Sequence, residues 1–158
     1  MANIFSASEV VQLGIQIEKN GKDFYSRVST ISKSDTAKKI FQYLADEEEK
    51  HIKVWEDILS EVGEKYEPPE VYSDEYFSYL RALSEEYVFT KEKKGEELAK
   101  EVKDEMEAIE IGIDAEKDAI LFYSEMKKLV LKGAHETIDK LIHEEQKHLS
   151  QLSQLKKH

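Results

Sequence analysis

The chain has 158 residues, 36% of them charged, with a formal net charge of −11 and no cysteine. Without cysteine there is no disulfide, thiolate zinc site, iron–sulfur cluster or rubredoxin-type iron centre in this sequence, so any metal must take oxygen and nitrogen ligands. The acidic balance argues against nucleic acid or an anionic membrane surface as partner, and no apolar run is long enough to span a membrane.

In chain order, Ser6-Ala7-Ser8-Glu9 reads as a capping box, after which Val10, Leu13, Ile17, Phe24 and Val28 recur at helical spacing to about Ile31. Ser34 or Asp35 can cap a second helix, whose apolar set Ile40, Phe41, Leu44, Trp55, Ile58 and Leu59 runs to Val62 before Gly63. Residues 63–101 differ in character, with Pro68-Pro69, a short helix predicted from Ser73 to about Phe89, and a charged run from Lys91 to Glu101 whose first lysines read as solvated. A third long pattern spans about Val102 to Leu131, a turn is expected around Gly133, and a fourth pattern runs from about His135 to Leu155. With only 6 Gly and 2 Pro, this periodicity predicts an all-α fold in a single domain over residues 1–158, large enough to bury roughly 70% of its unfolded surface. Met1 to Val11 lacks a basic segment followed by an apolar one, so the expected location is cytoplasmic.

One chemical phrase occurs twice along these helices. Glu18, then Glu48-x-x-His51, returns as Glu116, then Glu145-x-x-His148, and the flanks repeat too: Leu13-Gly14-Ile15 with Ile111-Gly112-Ile113, and Phe24-Tyr25 with Phe122-Tyr123. Glu is so frequent here that one Glu-x-x-His carries little weight, but the neighbours do. Gly14 and Tyr25, Leu44 and Trp55, Gly112 and Tyr123, and Leu141 and Leu152 share the helical faces of the four carboxylates, which places all four on inward stripes. Glu18 has Lys22 at i+4 as an ordinary surface partner, whereas Glu48, Glu116 and Glu145 have Ile52, Ile120 and Leu149 there. Glu18 and Glu48 each lie about 20 Å from the first hairpin turn at 1.5 Å per residue, and so meet at one level. Two hairpins of this kind pair into a four-helix bundle, and the 63–101 segment is long enough to cross it, making the second and third long helices parallel. Its aromatic residues Tyr72, Tyr76, Phe77, Tyr79, Tyr87 and Phe89 serve as a cover for the bundle or as a homodimer interface.

Burying one unpaired carboxylate costs several kcal/mol, and four facing one another would unfold a domain stable by about 5–15 kcal/mol. Two divalent cations balance four carboxylates, and two neutral imidazoles complete the coordination, which suits iron, or alternatively manganese. The i, i+3 spacing of Glu-x-x-His assigns Glu48 and Glu145 as bridging ligands with His51 and His148 one to each metal, and Glu18 and Glu116 as terminal ligands. Tyr25 and Tyr123, two turns beyond Glu18 and Glu116, are candidates for holding a carboxylate or delivering a proton. His135, His143 and His158 read as surface residues.

This pattern resembles the di-iron carboxylate proteins of the ferritin-like superfamily, most closely the rubrerythrin-like branch, and all six ligand positions match: Glu18, Glu48, His51, Glu116, Glu145 and His148. The resemblance covers the four long helices and implies a ferritin-like bundle holding two iron ions. It also has two departures. Rubrerythrins carry a further Glu three residues after the third-helix ligand, where this chain has Ala119, with Gly21 at the repeat-related position, and they usually carry a Cys-rich rubredoxin domain that feeds electrons to the site.

The function implied is a di-iron oxidoreductase that reduces hydrogen peroxide, or dioxygen, with electrons from a separate donor protein. Gly21 and Ala119 are expected to leave room for a diatomic ligand. The competing readings are a non-catalytic iron-binding or iron-handling protein, and a dimanganese catalase-like enzyme.

Overall fold

A computed structural model describes residues 7–62, 73–90, 93–128 and 132–157, and among those residues there are six helices and no strand. They are α1 (Ala7–Ile31), α2 (Asp35–Val62), α3 (Asp74–Glu85), α4 (Gly95–Glu101), α5 (Glu105–Met126) and α6 (Lys132–Lys156). Local chemistry sets several starts. The Ser34 hydroxyl accepts from Ala37 N at 3.2 Å, Ser73 from Tyr76 N at 3.2 Å and Asp104 from Glu107 N at 2.8 Å, each satisfying an amide that the first helical turn leaves without a partner. The capping box at Ser6 lies outside the described residues.

Contacts between helices fix their directions. Tyr25 reaches Gly112 and Glu116 while Tyr123 reaches Glu18, so α1 and α5 are antiparallel. Ion pairs Lys127–Asp139 and Lys156–Glu110 make α5 and α6 antiparallel, and the short turn at residues 32–34 does the same for α1 and α2. It follows that α2 and α5 run parallel, as a crossover between the hairpins demands. The described parts of that crossover lie on α1 and α5. Tyr76 donates to Glu125 at 2.6 Å, Val88 N donates to Asp118 at 2.9 Å, Tyr87 sits edge-on to Phe122, and Phe89 packs on Phe24.

Four sequence expectations shift. The short helix ends at Glu85 rather than Phe89, leaving Tyr87 and Phe89 buried in irregular backbone over the bundle. Tyr72 lies outside the described residues, and Tyr79 is exposed. The charged run becomes α4, which buries Gly95 and Ala99 against α1; a Cβ on Gly95 would lie 1.9 Å from Asn20 O, and Gly95 N donates to Asn20 Oδ1 at 3.2 Å. Only glycine permits that approach. The third long helix begins at Glu105, because Val102 is extended after α4 and Asp104 caps the new start. Gly133 falls inside the first turn of α6 rather than in a turn before it.

The core divides into two apolar clusters. One gathers Val11, Trp55, Ile58, Leu80, Phe122, Met126, Ile138 and Leu141, and the other gathers Phe24, Val28, Phe41, Leu44, Phe89, Ile109, Leu152 and Leu155. Along each long helix the Glu and His residues fall between the two, so a polar layer crosses the middle of the bundle. Among the described residues no helix is long and apolar enough to cross a membrane.

Candidate metal centre

Each long helix contributes its part of the polar layer from an otherwise apolar stripe. Glu18, Glu48, His51, Glu116, Glu145 and His148 are all buried, none more than 4% exposed. Their ligand atoms fall into two groups, Glu18–Glu48–His51–Glu145 and Glu48–Glu116–Glu145–His148, within each of which one atom per residue lies within 4.8 Å of the others. Glu48 and Glu145 belong to both groups, whereas Glu18 and Glu116 belong to one each. Glu145 spans the layer: Oε1 lies 2.9 Å from His51 Nδ1 and Oε2 lies 3.1 Å from His148 Nδ1. His51 Nδ1 is also 3.5 Å from Glu18 Oε2, and His148 Nδ1 is 3.4 Å from Glu48 Oε1 and 3.6 Å from Glu116 Oε1. The two imidazoles stack, with ring centres 5.5 Å apart.

The tyrosines are bound crosswise. Tyr25 of α1 donates to Glu116 Oε1 at 2.8 Å and Tyr123 of α5 donates to Glu18 Oε1, so each hairpin's tyrosine holds the other hairpin's carboxylate. Burial, reinforced by the surrounding carboxylates, raises both phenols well above their ordinary pKa, and they remain protonated donors. Trp55 packs 4.8 Å from Tyr123, and Phe41 stacks on Tyr25.

Left to protein charges alone, this layer shares protons. Burial, then the charges of Glu145 and Glu18, pushes the Glu48 carboxyl well above the usual range. Burial and Glu145 raise Glu116 to about 8 against the hydrogen bond from His148. At Glu18 burial raises, but hydrogen bonds from Glu48, His51 and Tyr123 overcome it and hold the carboxyl low. Burial disfavours charge on the histidines, yet the carboxylates beside them lift His51 to about 11 and His148 to about 10.

Protons do not satisfy the whole layer. Glu18 Oε2, Glu48 Oε1 and His148 Nε2 are buried without a well-formed hydrogen bond, the imidazole nitrogens coming no nearer than 3.5 Å to Glu18 Oε2 and 3.4 Å to Glu48 Oε1, and an orphaned buried polar atom costs about 1–3 kcal/mol. Four buried carboxylates and two imidazoles, two carboxylates shared between both groups, fit a pair of divalent cations with one His each.

Several sequence expectations meet a different arrangement. Lys22 pairs with Glu49 of α2 at 2.5 Å rather than with Glu18, which is turned inward. The room expected beside Gly21 is occupied, since a Cβ there would lie 3.3 Å from Glu48 Oε2, and Ala119 is packed in the Trp55 cluster. His143 is exposed and outside both groups, as its sequence position led one to expect, and His158 lies outside the described residues. Glu47 escaped the sequence reading; it forms a third group with His51 and His148. The signal for it was its repeat, since Glu47-Glu48 is matched by Glu144-Glu145.

A family model described as rubrerythrin matches residues 9–156. Among solved structures, a candidate ferritin-like diiron-carboxylate protein from Thermotoga maritima is 24% identical and aligns over 100% of this chain and 99% of its own, with a TM-score of 0.70. That likeness shows a ferritin-like fold. No curated protein sequence matches the chain.

Proposed function

This chain belongs to the rubrerythrin family, and on that premise we propose that it is a di-iron oxidoreductase that reduces hydrogen peroxide with electrons from a separate donor protein. The observation that carries the reading is the pair of buried ligand groups sharing Glu48 and Glu145, with a phenol hydroxyl held against each terminal carboxylate. Bound as a diferrous pair, the metals would supply one electron each, the two needed to convert hydrogen peroxide and two protons to two waters.

The chain's own residues do the rest. Glu145 and Glu48 would hold the pair together, His51 and His148 would anchor one metal each through Nδ1, and Glu18 and Glu116 would close the outer sides. Tyr25, its hydroxyl oxygen 2.8 Å from Glu116, and Tyr123, bonded to Glu18, keep a phenol proton against those outer carboxylates, in position to be passed inward as oxygen is reduced. The two apolar clusters above and below keep bulk water from the layer. With no cysteine in the chain, electrons must arrive from elsewhere, and a net charge of −11 favours a carrier with a basic docking patch.

The test is rapid mixing of the diferrous protein with peroxide and, separately, with dioxygen. Oxidation at least tenfold faster with peroxide is expected. Equal or faster oxidation by dioxygen would refute the peroxide assignment while leaving the di-iron site intact.

A further inference from the structure

The group Glu47–His51–His148 lies beside the inner pair but is not part of it, because Glu47 belongs to neither inner group. Each of its residues brings a candidate ligand atom within 4.8 Å of the others. All three belong to α2 and α6, the helices opposite the α1–α5 face on which the crossover lies. Tyr43 stands edge-on to His148 on the same side and is 43% exposed, so this edge of the layer approaches solvent.

Both imidazoles turn Nδ1 toward the inner carboxylates, which leaves Nε2 for another partner. His148 Nε2 has none, although the ring is 0% exposed. A ring that gives up its Nε2 proton to a cation keeps its Nδ1 proton on the inner carboxylates, and one that gives up its Nδ1 proton to the inner pair keeps the Nε2 proton. A cation held with Glu47 would therefore take Nε2 and one held with the inner carboxylates would take Nδ1, and near neutral pH a ring serves one or the other. The outer group is a place a metal occupies before the inner pair, not in addition to it.

The repeat supplies this acid twice, as Glu47 before Glu48 and Glu144 before Glu145. Each is held by a lysine three residues on, Lys50 at 2.6 Å and Lys147 at 3.1 Å. Both lysines are largely exposed, so solvent screens these pairs and an arriving divalent cation competes with a single ammonium for each carboxylate.

We propose that Glu47 and the outer nitrogens of His51 and His148 form a transit site in the α2–α6 groove, which takes a divalent cation from solvent and passes it to the inner pair. The proposal rests on the inner pair holding metal. Its competitor is that Glu47 merely accepts an Nε2–H hydrogen bond and orients the rings. Glu47→Gln separates the two, because the amide oxygen still accepts that bond but the charge is gone.

The experiment mixes chelator-stripped protein with Co(II) and follows the visible absorption of bound cobalt in time, with final content measured by element-resolved mass spectrometry. Wild type should load two ions per chain. Glu47→Gln should load about tenfold more slowly to the same content and spectrum, Glu47→Asp should load near the wild-type rate, and Glu144→Gln should be slowed less than Glu47→Gln. A wild-type loading rate in Glu47→Gln would overturn the proposal, and so would a lower final content, which would make Glu47 a resident ligand. If wild type itself took up no metal, the di-metal reading would fail first, a result distinct from either.

Discussion

The two hairpins carry the same candidate ligands in different surroundings. In the α1–α2 hairpin, Glu18 is held low by its hydrogen bonds, and the hairpin's outer face is clamped by α4 through the Gly95–Asn20 approach. In the α5–α6 hairpin, Glu116 is raised to about 8, and Leu152 stands where the first hairpin has Trp55. What the repeat has kept is the exchange between halves: Tyr25 serves Glu116, and Tyr123 serves Glu18. Neither hairpin completes its own half of the layer. The shared carboxylates reinforce this, because Glu145 of α6 meets His51 of α2 as closely as it meets its own His148.

The strongest way to break the comparison is to remove a shared ligand from one half. Glu48→Ala and Glu145→Ala should each reduce bound metal from two ions per chain to less than one, since both groups lose a member, as read by element-resolved mass spectrometry. Glu18→Gln and Glu116→Gln should each cost one ion. Equal losses in all four variants would remove the distinction between shared and terminal carboxylates. The crosswise tyrosines come next. Tyr25→Phe should weaken metal binding about 10- to 100-fold at the His148 side of the layer, and Tyr123→Phe at the His51 side, as resolved by stepwise Co(II) titration. An effect of each on its own hairpin's group would overturn the crosswise reading.

Much of this was legible in the sequence, for a physical reason. Burying four carboxylates is expensive enough that apolar neighbours on every ligand-bearing face, repeated in both halves, point to one explanation. The crosswise hydrogen bonds were not legible. Tyr25 lies seven residues from Glu18, roughly 10 Å along its own helix, so its partner is decided by how α1 and α5 cross. Local rules failed where burial outweighed them. The i+4 spacing offers Lys22 to Glu18, but Glu18 is turned inward and Lys22 takes Glu49 instead. Helix α4 was hidden because its seven residues carry too few apolar side chains to show a period, and because Gly95 reads as a break when it is in fact a contact.

The clamp on the first hairpin can be tested with a pair of glycines. Gly95→Ala forces a Cβ into the Asn20 carbonyl and should cost about 1–3 kcal/mol. Gly133→Ala meets nothing within 4 Å in the first turn of α6 and should add about 0.4–1 kcal/mol. Thermal denaturation of both variants checks this, and a neutral Gly95→Ala would mean that α4 yields without loss.

The electrostatic difference between the halves has the smallest signature, a pH dependence of the chelator-stripped protein. Glu116, with a folded pKa of about 8, and Glu48, also raised, contribute stability that is present below about 4.5 and lost as pH rises through the folded values. His51 and His148, raised to about 11 and 10, contribute stability that is complete below about 6.5 and lost as pH rises toward those values. Glu18 has the opposite sign, but its loss occurs below about 4.5, outside the window considered. Between pH 6 and 9 all the active contributions therefore decline together, and the melting temperature of the stripped protein should fall across that range. With metal bound the slope should reverse or vanish, because ligands must shed their protons to coordinate, and raising the pH then favours the bound form. Glu116→Gln removes the carboxylate raised to about 8 and should flatten the stripped protein's slope the more, whereas Glu18→Gln acts only through the lift that Glu18 gives His51 and Glu48 and should flatten it less. Equal flattening by both substitutions would show that the two halves share their protons evenly, and the asymmetry between the hairpins would then reduce to packing alone.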